Sequence, residues 1–341
     1  MSEPVEARFW ERLGDNKVKC LLCPRSCVIQ AGARGFCRGR ENRGGTLISR
    51  SYGLVTSIAL DPIEKKPLYH FYPGSTVLSV GTYGCNFSCE FCQNWSIAQR
   101  DAGGTYVPPQ QLVQIALEQS REHRSCVGLA YTYSEPLVWY EYVMDTAKLA
   151  RASGLCNVLV TNGYVSHDAV RSLIQVIDAA NVDLKAFNPE YYKKLCHGEL
   201  EGVLSTIQTL SQARVHVELT TLVLPGLNDS DEEMKALAGW IAALDPDIPL
   251  HLSRYFPANR MNLPPTPVST LIRLREIARQ FLRYVYVGNV NQPGLDDTYC
   301  PKCGFKVITR SGFSVVSSAL KGRLCPRCGY EIFLTGEPIE T

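Results

Sequence analysis

The chain has 341 residues, 45% of them apolar and 20% charged, with 35 Lys and Arg against 33 Asp and Glu. A formal net charge of +2 excludes an overall polyanion-binding character, though it leaves room for a local basic patch. The apolar fraction suits a globular core, no apolar run approaches the roughly 20 residues that span a bilayer, and the mixed-charge start lacks a secretory signal; the expectation is a cytoplasmic protein with no membrane contact.

Fourteen cysteines in such a chain point to metal or redox chemistry rather than disulfides, because cytosolic thiols are kept reduced. In chain order, residues 1–74 are expected to form a Cys-rich leader. It reads as a short charged helix, a Cys/Gly/Arg-rich stretch and a strap punctuated by Pro62 and Pro73. Cys20, Cys23, Cys27 and Cys37 share a C-x2-C-x3-C-x9-C spacing. The spacing suggests a metal site and leaves zinc and a second [4Fe–4S] cluster equally open, with unligated thiols as the plain alternative. Lys17, Lys19, Arg25, Arg34, Arg38, Arg40, Arg43 and Arg50 crowd the same region. A basic patch of this kind could contact RNA phosphates. A solvated face, or compensation of anionic thiolates, is the commoner use, and the aromatic interleaving of single-strand binders is sparse.

From residue 75 to 294, short β-branched runs alternate with helical periods, the signature of βαβ units and a parallel sheet. Strands are predicted at 77–81, 127–131, 157–161, 182–184, 215–222 and 250–252, with a short last one at 284–287. Helices are predicted at 110–122, 137–152, 167–177, 231–243 and 269–281. Six units of about 30–35 residues fall short of a closed eight-unit barrel, so an α/β partial (β/α)6 barrel of TIM type is expected. A doubly wound open sheet is the alternative. No glycine-rich phosphate fingerprint follows the first strand, where the turn runs Gly81-Thr82-Tyr83-Gly84-Cys85.

That turn leads into Cys85, Cys89 and Cys92, spaced C-x3-C-x2-C. Three thiolates can hold three irons of a [4Fe–4S] cube and leave the fourth without a protein ligand, whereas four cysteines are the usual complement. Phe87 and Phe91 can shield such a cluster. A zinc loop with a distant fourth ligand, or reduced core thiols, would be the plain reading.

Residues 295–341 shift to a four-Cys ribbon. Cys300-Pro301-Lys302-Cys303-Gly304 and Cys325-Pro326-Arg327-Cys328-Gly329 are matching knuckles whose C-x2-C pairs suit one tetrahedral ion, structural zinc or a rubredoxin-type iron. Of the lone cysteines, Cys126 and Cys156 adjoin strands and are expected to pack. Cys196, beside His197, is expected near the barrel mouth, where hydrogen transfer is the alternative to packing.

The three-cysteine loop resembles that of the radical SAM (S-adenosylmethionine) superfamily. Tyr131-Thr132-Tyr133-Ser134-Glu135-Pro136 resembles that family's Gly-Gly-Glu motif. With Thr161-Asn162-Gly163, Asp183-Leu184-Lys185 and Leu224-Pro225-Gly226-Leu227-Asn228-Asp229 it is similar to pyruvate formate-lyase activating enzymes. The strap and Cys92-Gln93-Asn94-Trp95-Ser96 look closer to the radical SAM enzymes of the AmmeMemoRadiSam system. The resemblance implies a [4Fe–4S] cluster on Cys85, Cys89 and Cys92 whose open iron takes SAM. Glu135 would accept from the SAM amino group or shape the turn that does, Asn162 and Asp183 would order SAM, and Lys185 would neutralise its carboxylate. It implies reductive cleavage of SAM to methionine and a 5′-deoxyadenosyl radical, fed by a ferredoxin or flavodoxin, with hydrogen abstraction from a protein or peptide. Modification of RNA or a small metabolite is the second expectation, and a nucleic-acid-binding zinc protein with a degenerate barrel the third. One departure stands out: Val160 replaces an Asp that helps hold a monovalent cation in the activating enzymes, which weakens a glycyl-radical partner.

Overall fold

The computed structural model describes residues 4–123 and 125–339. Eight strands form the central sheet: β1 (Ser57–Pro62), β2 (Thr76–Gly81), β3 (Cys126–Tyr131), β4 (Cys156–Thr161), β5 (Ala179–Asp183), β6 (His216–Val223), β7 (Leu250–Arg254) and β8 (Val285–Gly288). Spatial order follows chain order, with β2 to β8 parallel and β1 antiparallel on the edge. Among the described residues β1 and β8 share no ladder, so the barrel is open on that side.

Six helices complete six βα units: α1 (Pro109–Glu122), α2 (Tyr140–Ala152), α3 (His167–Leu173), α4 (Leu200–Gln212), α5 (Asp231–Leu244) and α6 (Val268–Ala278). Helix α5 shows why they form. The Ser230 side chain accepts from the Glu233 N–H, three acids occupy the first turn, and Met234, Leu237, Ala238 and Ile241 make the buried stripe. The strands are buried on both faces, as helix-covered parallel strands must be: in β6 all but Leu222 are buried. The expected α/β partial barrel is therefore the fold.

Three features differ from the sequence expectations. The predicted charged helix near the start is absent among the described residues. Trp10–Arg12 instead pairs antiparallel with Val18–Cys20 across a turn in which Asp15 and Asn16 take positive φ, conformations suited to short polar side chains. The barrel sheet begins before residue 75, because Ser57–Pro62 pairs along the whole of β2. Helix α4 was not foreseen, since Gly202 and its Ser and Thr residues are weak helix formers. A Cβ on Gly202 would come 2.9 Å from the Tyr164 ring, so packing there requires glycine.

The strap after β1 plugs the barrel base. Ile63, Leu68 and Phe71 pack on Val77, Ala130, Val158 and Ala179. Polar ties add register: Asn181 Nδ2 donates to the Pro67 carbonyl (2.7 Å), and the N–H groups of Tyr69 and His70 donate to Glu218 (3.0 and 2.7 Å). The C-terminal ribbon (Thr298–Tyr299, Lys306–Ser311, Ser314–Ser318) docks on Tyr69, Tyr284 and Tyr286. Its buried Arg310 donates to the Tyr69 carbonyl and to Thr298 Oγ1, each at 2.8 Å.

Candidate active site

The carboxyl ends of β2 to β7 surround an open cavity of about 290 Å³, at the lower end for a small-molecule site. Cys85, Cys89, Cys92, Glu135, Asn162, Asp183 and Lys185 all line it, together with Val160. All seven residues singled out in the central sequence motifs thus meet in one place.

The cysteine loop is braced from behind. Its Ser88 and Glu90 N–H groups donate to the carbonyls of Cys196 (3.1 Å) and Leu195 (3.0 Å). Those carbonyls belong to a π-helical turn, Tyr192–Cys196, an irregularity found mostly at functional sites. Gln99 Nε2 and Asn259 Nδ2 both donate to the Cys89 carbonyl, at 2.9 and 3.0 Å. Cys196 itself is fully buried beside Cys89, away from the cavity wall.

The surroundings of the three loop sulfurs keep them protonated in the absence of a metal. Burial pushes the Cys85 thiol well above its ordinary range and Cys92 up to about 11. A hydrogen bond with Cys196, then burial, does the same to Cys89. Thiols so placed ionise when a metal supplies the positive charge. A three-thiol set at the mouth of an open cavity, with room beside it, fits a [4Fe–4S] cluster that keeps one iron free.

The four residues expected around SAM divide into two pairs. Glu135 Oε1 accepts from Thr161 Oγ1 (2.7 Å) and the Leu137 N–H (2.9 Å), and Oε2 accepts from the Asn162 N–H (2.7 Å). Burial raises this carboxyl to about 7, even with those donors pulling it down. Asn162 Nδ2 donates to Asn86 Oδ1 (2.9 Å) and reaches Cys85 Sγ (3.5 Å), while its Oδ1 accepts from the Tyr164 N–H (2.8 Å). Both residues hold the framework. Asp183 and Lys185 form the second pair, 2.8 Å apart at the end of β5. Burial works against the Lys185 charge, but Asp183 and the thiols of Cys89 and Cys196 raise its pKa well above the ordinary value. The cavity therefore carries a fixed cation beside the cysteine loop.

Sequence reasoning missed Thr220, Ser253 and Asn289, which also line the cavity. Thr220 and Ser253 sit on the inward-facing alternation of β6 and β7, a signal hidden because both strands are buried on both faces.

At the C-terminus, Cys300 and Cys328 sulfurs lie 3.6 Å apart and those of Cys303 and Cys325 3.7 Å apart, all four within 4.8 Å of one another. Gly304 and Gly329 follow each knuckle at φ +70° and +69°, letting their N–H groups turn back to the Cys300 and Cys325 carbonyls. Such a site could hold one metal ion. The N-terminal thiols of Cys20, Cys23, Cys27 and Cys37 also come together, around a separate cavity. Most of the leader's basic side chains from Lys17 to Arg50 have acidic or aromatic partners within the chain, though only Arg40 of them is buried. Arg34 and Arg50 reach Asp101 and Glu41, Arg43 reaches Glu41, Arg40 is buried against Glu141, and Arg25 stacks on Phe36.

Comparison with known proteins agrees with this geometry. The Radical SAM superfamily description matches residues 79–238. The chain is 42% identical over 315 residues to the uncharacterized protein MJ0808 of Methanocaldococcus jannaschii, covering 91% of this chain and 92% of that one. The chain belongs to the radical SAM superfamily. Similarity to named activating enzymes is more distant. It is 24% identical to the benzylsuccinate synthase activating enzyme of Thauera aromatica, over 56% of this chain and 59% of that protein. It is also 24% identical to the pyruvate formate-lyase 1-activating enzyme of Escherichia coli strain K12, over 45% of this chain and 63% of that protein. A radical SAM methyltransferase from Sphaerobacter thermophilus shares the fold at a TM-score of 0.51 and 15% identity, over 85% of this chain and 79% of that one. Membership implies a [4Fe–4S] cluster and SAM. No helix among the described residues is long and apolar enough to cross a membrane.

Proposed function

We propose that the protein cleaves SAM at a [4Fe–4S] cluster held by Cys85, Cys89 and Cys92, and that it acts on a protein or peptide, in the manner of an activating enzyme. The observation that carries the first part is the convergence of those three thiols with Asp183 and Lys185 on one open cavity. When bound, the cluster would supply the electron that splits the SAM sulfonium, giving methionine and a 5′-deoxyadenosyl radical.

The chain's own residues would orient and neutralise. The Lys185 ammonium pairs with a carboxylate brought beside the loop, and Asp183 fixes its direction. Glu135 holds the Thr161-Asn162 turn, and Asn162 holds Cys85 and Asn86. Phe87 and Phe91, each 2% exposed, keep water from the thiols. The electron would come from a ferredoxin or flavodoxin.

The macromolecular substrate is supported by the openness of the mouth and by the likeness to the two activating enzymes. Val160 stands in the cavity wall, where the resemblance to activating enzymes leads to the expectation of an Asp, and this separates the chain from that pattern in detail. The test is an anaerobic incubation with SAM, dithionite and a deuterated proteome fraction from the native host. Deuterium entering 5′-deoxyadenosine only while intact protein is present supports the reading. Transfer that survives proteolysis and dialysis of the fraction, but not nuclease treatment, would replace protein by RNA.

Proposed for the C-terminal ribbon is structural zinc, since four sulfurs already close on one point need only a single ion.

A further inference from the structure

The two four-cysteine groups differ in a way that separates their metals. A zinc ion binds each thiolate at about 2.3 Å, so two sulfurs on one zinc are at most about 4.6 Å apart. Among the described residues, Cys300, Cys303, Cys325 and Cys328 come close to that spacing, with two sulfur pairs at 3.6 and 3.7 Å and all four within 4.8 Å of one another. Cys20, Cys23, Cys27 and Cys37 instead line a small internal cavity walled by Leu22, Ile29 and Val138. The three thiols of the active-site loop are likewise not drawn in to a single point. Four thiols facing a shared space suit a body larger than one ion, and four cysteines are the normal complement of a [4Fe–4S] cube.

A second observation points the same way. Arg40 lines this cavity, is fully buried, and leaves its Nε donor without an acceptor, although its terminal nitrogen is held by Glu141 at 2.8 and 3.0 Å. Buried donors rarely lack a partner. Sulfur of a bound cluster would accept from it, and the guanidinium would offset part of the cluster's negative charge.

The cavity also abuts the active-site loop. Asn86, the residue after Cys85, lines it, and through Asn162 it is tied to the Cys85 sulfur. A Cβ on Gly84 would lie 2.4 Å from the Cys37 carbonyl, so the backbones on either side are in direct contact. Cys23 and Cys27 are only half-buried, which brings the far edge of the site near the surface.

We infer that Cys20, Cys23, Cys27 and Cys37 hold a second [4Fe–4S] cluster that relays electrons to the cluster at Cys85, Cys89 and Cys92. One electron from a low-potential ferredoxin or flavodoxin reduces the outer cluster from 2+ to 1+. The outer cluster returns to 2+ as the inner one goes from 2+ to 1+, with no proton moved. The occupancy stands alone, while the relay rests on the proposed function.

Iron, sulfide and zinc are to be counted in anaerobically reconstituted protein, with electron paramagnetic resonance after dithionite. The Cys85→Ala/Cys89→Ala/Cys92→Ala variant should keep about four irons and four sulfides, and the wild type about eight of each. The reduced wild-type spectrum should be broadened by spin coupling that is missing from the variant. An iron-free variant with about two zinc ions per chain would overturn the cluster. Eight irons with a spectrum equal to the sum of the variant and a Cys23→Ser/Cys27→Ser protein would overturn the relay. Four irons in both wild type and triple variant would leave the outer cluster standing and sink the inner one.

Discussion

The carboxylate of Glu135 accepts the backbone N–H of Asn162 at 2.7 Å, joining the loop after β3 to the loop after β4. With Thr161 Oγ1 and the Leu137 N–H as further donors and 2% exposure, Glu135 faces the protein more than the cavity. It is a positioning residue: it sets the turn from which Asn162 holds Cys85.

Removing it should therefore cost stability as well as activity. Glu135→Ala leaves three donors without an acceptor and should lower unfolding free energy by on the order of 3 kcal/mol, read from a denaturant midpoint. The pH dependence gives a sharper reading in metal-free protein. Because the folded carboxyl is raised to about 7, the proton is bound more tightly in the native state. Its stabilisation is full below about pH 4.5 and is lost as pH rises through about 7, a span worth about 3 kcal/mol. Wild type minus Glu135→Gln should show that decline; a flat difference would contradict it.

Lys185 should act on binding. Loss of the ammonium in Lys185→Ala removes a charge-assisted contact worth about 2 kcal/mol, so SAM affinity should fall roughly 30-fold by equilibrium dialysis, with iron content unchanged. Lys185→Arg should recover part of it. Equal affinity in all three would remove Lys185 from the SAM site.

Much of this was legible in the residues. The spacing of Cys85, Cys89 and Cys92 and the strand-end placement of Glu135, Asn162, Asp183 and Lys185 follow from local pattern, and strands bring such ends together. What pattern could not show was direction. Asn162 is a plausible cofactor contact by type, yet its amide is committed to Asn86, Cys85 and Tyr164. The starting hairpin was hidden because Trp10–Arg12 is short and exposed at two of three positions, with no alternating pattern to read. The role of Glu218 was hidden because Tyr69, His70 and His251, which donate to it alongside the neighbouring His216, lie more than 30 residues away.

Glu218 offers a test of the plugged barrel. It accepts from the Tyr69 and His70 N–H groups and from His216 and His251, tying strap to sheet. Burial alone would raise its pKa, but the two histidine hydrogen bonds hold it well below the carboxylate range. The sign is opposite to that of Glu135: its stabilisation is full above about pH 4.5 and lost as pH falls further. Glu218→Ala should lower stability by about 3–5 kcal/mol in urea denaturation and flatten that acid limb.

The ribbon metal should be structural. Cys325→Ser should lose any metal bound at the ribbon and disturb the near-ultraviolet circular dichroism of Tyr284 and Tyr286, which pack against the ribbon core. A wild type without metal at these four sulfurs would contradict this.

The most direct measurement is 5′-deoxyadenosine, assayed by mass spectrometry after anaerobic incubation of reconstituted protein with SAM and dithionite. The account predicts its formation by the wild type and none by Cys89→Ala. A wild type with a full iron complement that binds SAM yet forms no 5′-deoxyadenosine, with any reductant or substrate supplied, would contradict it.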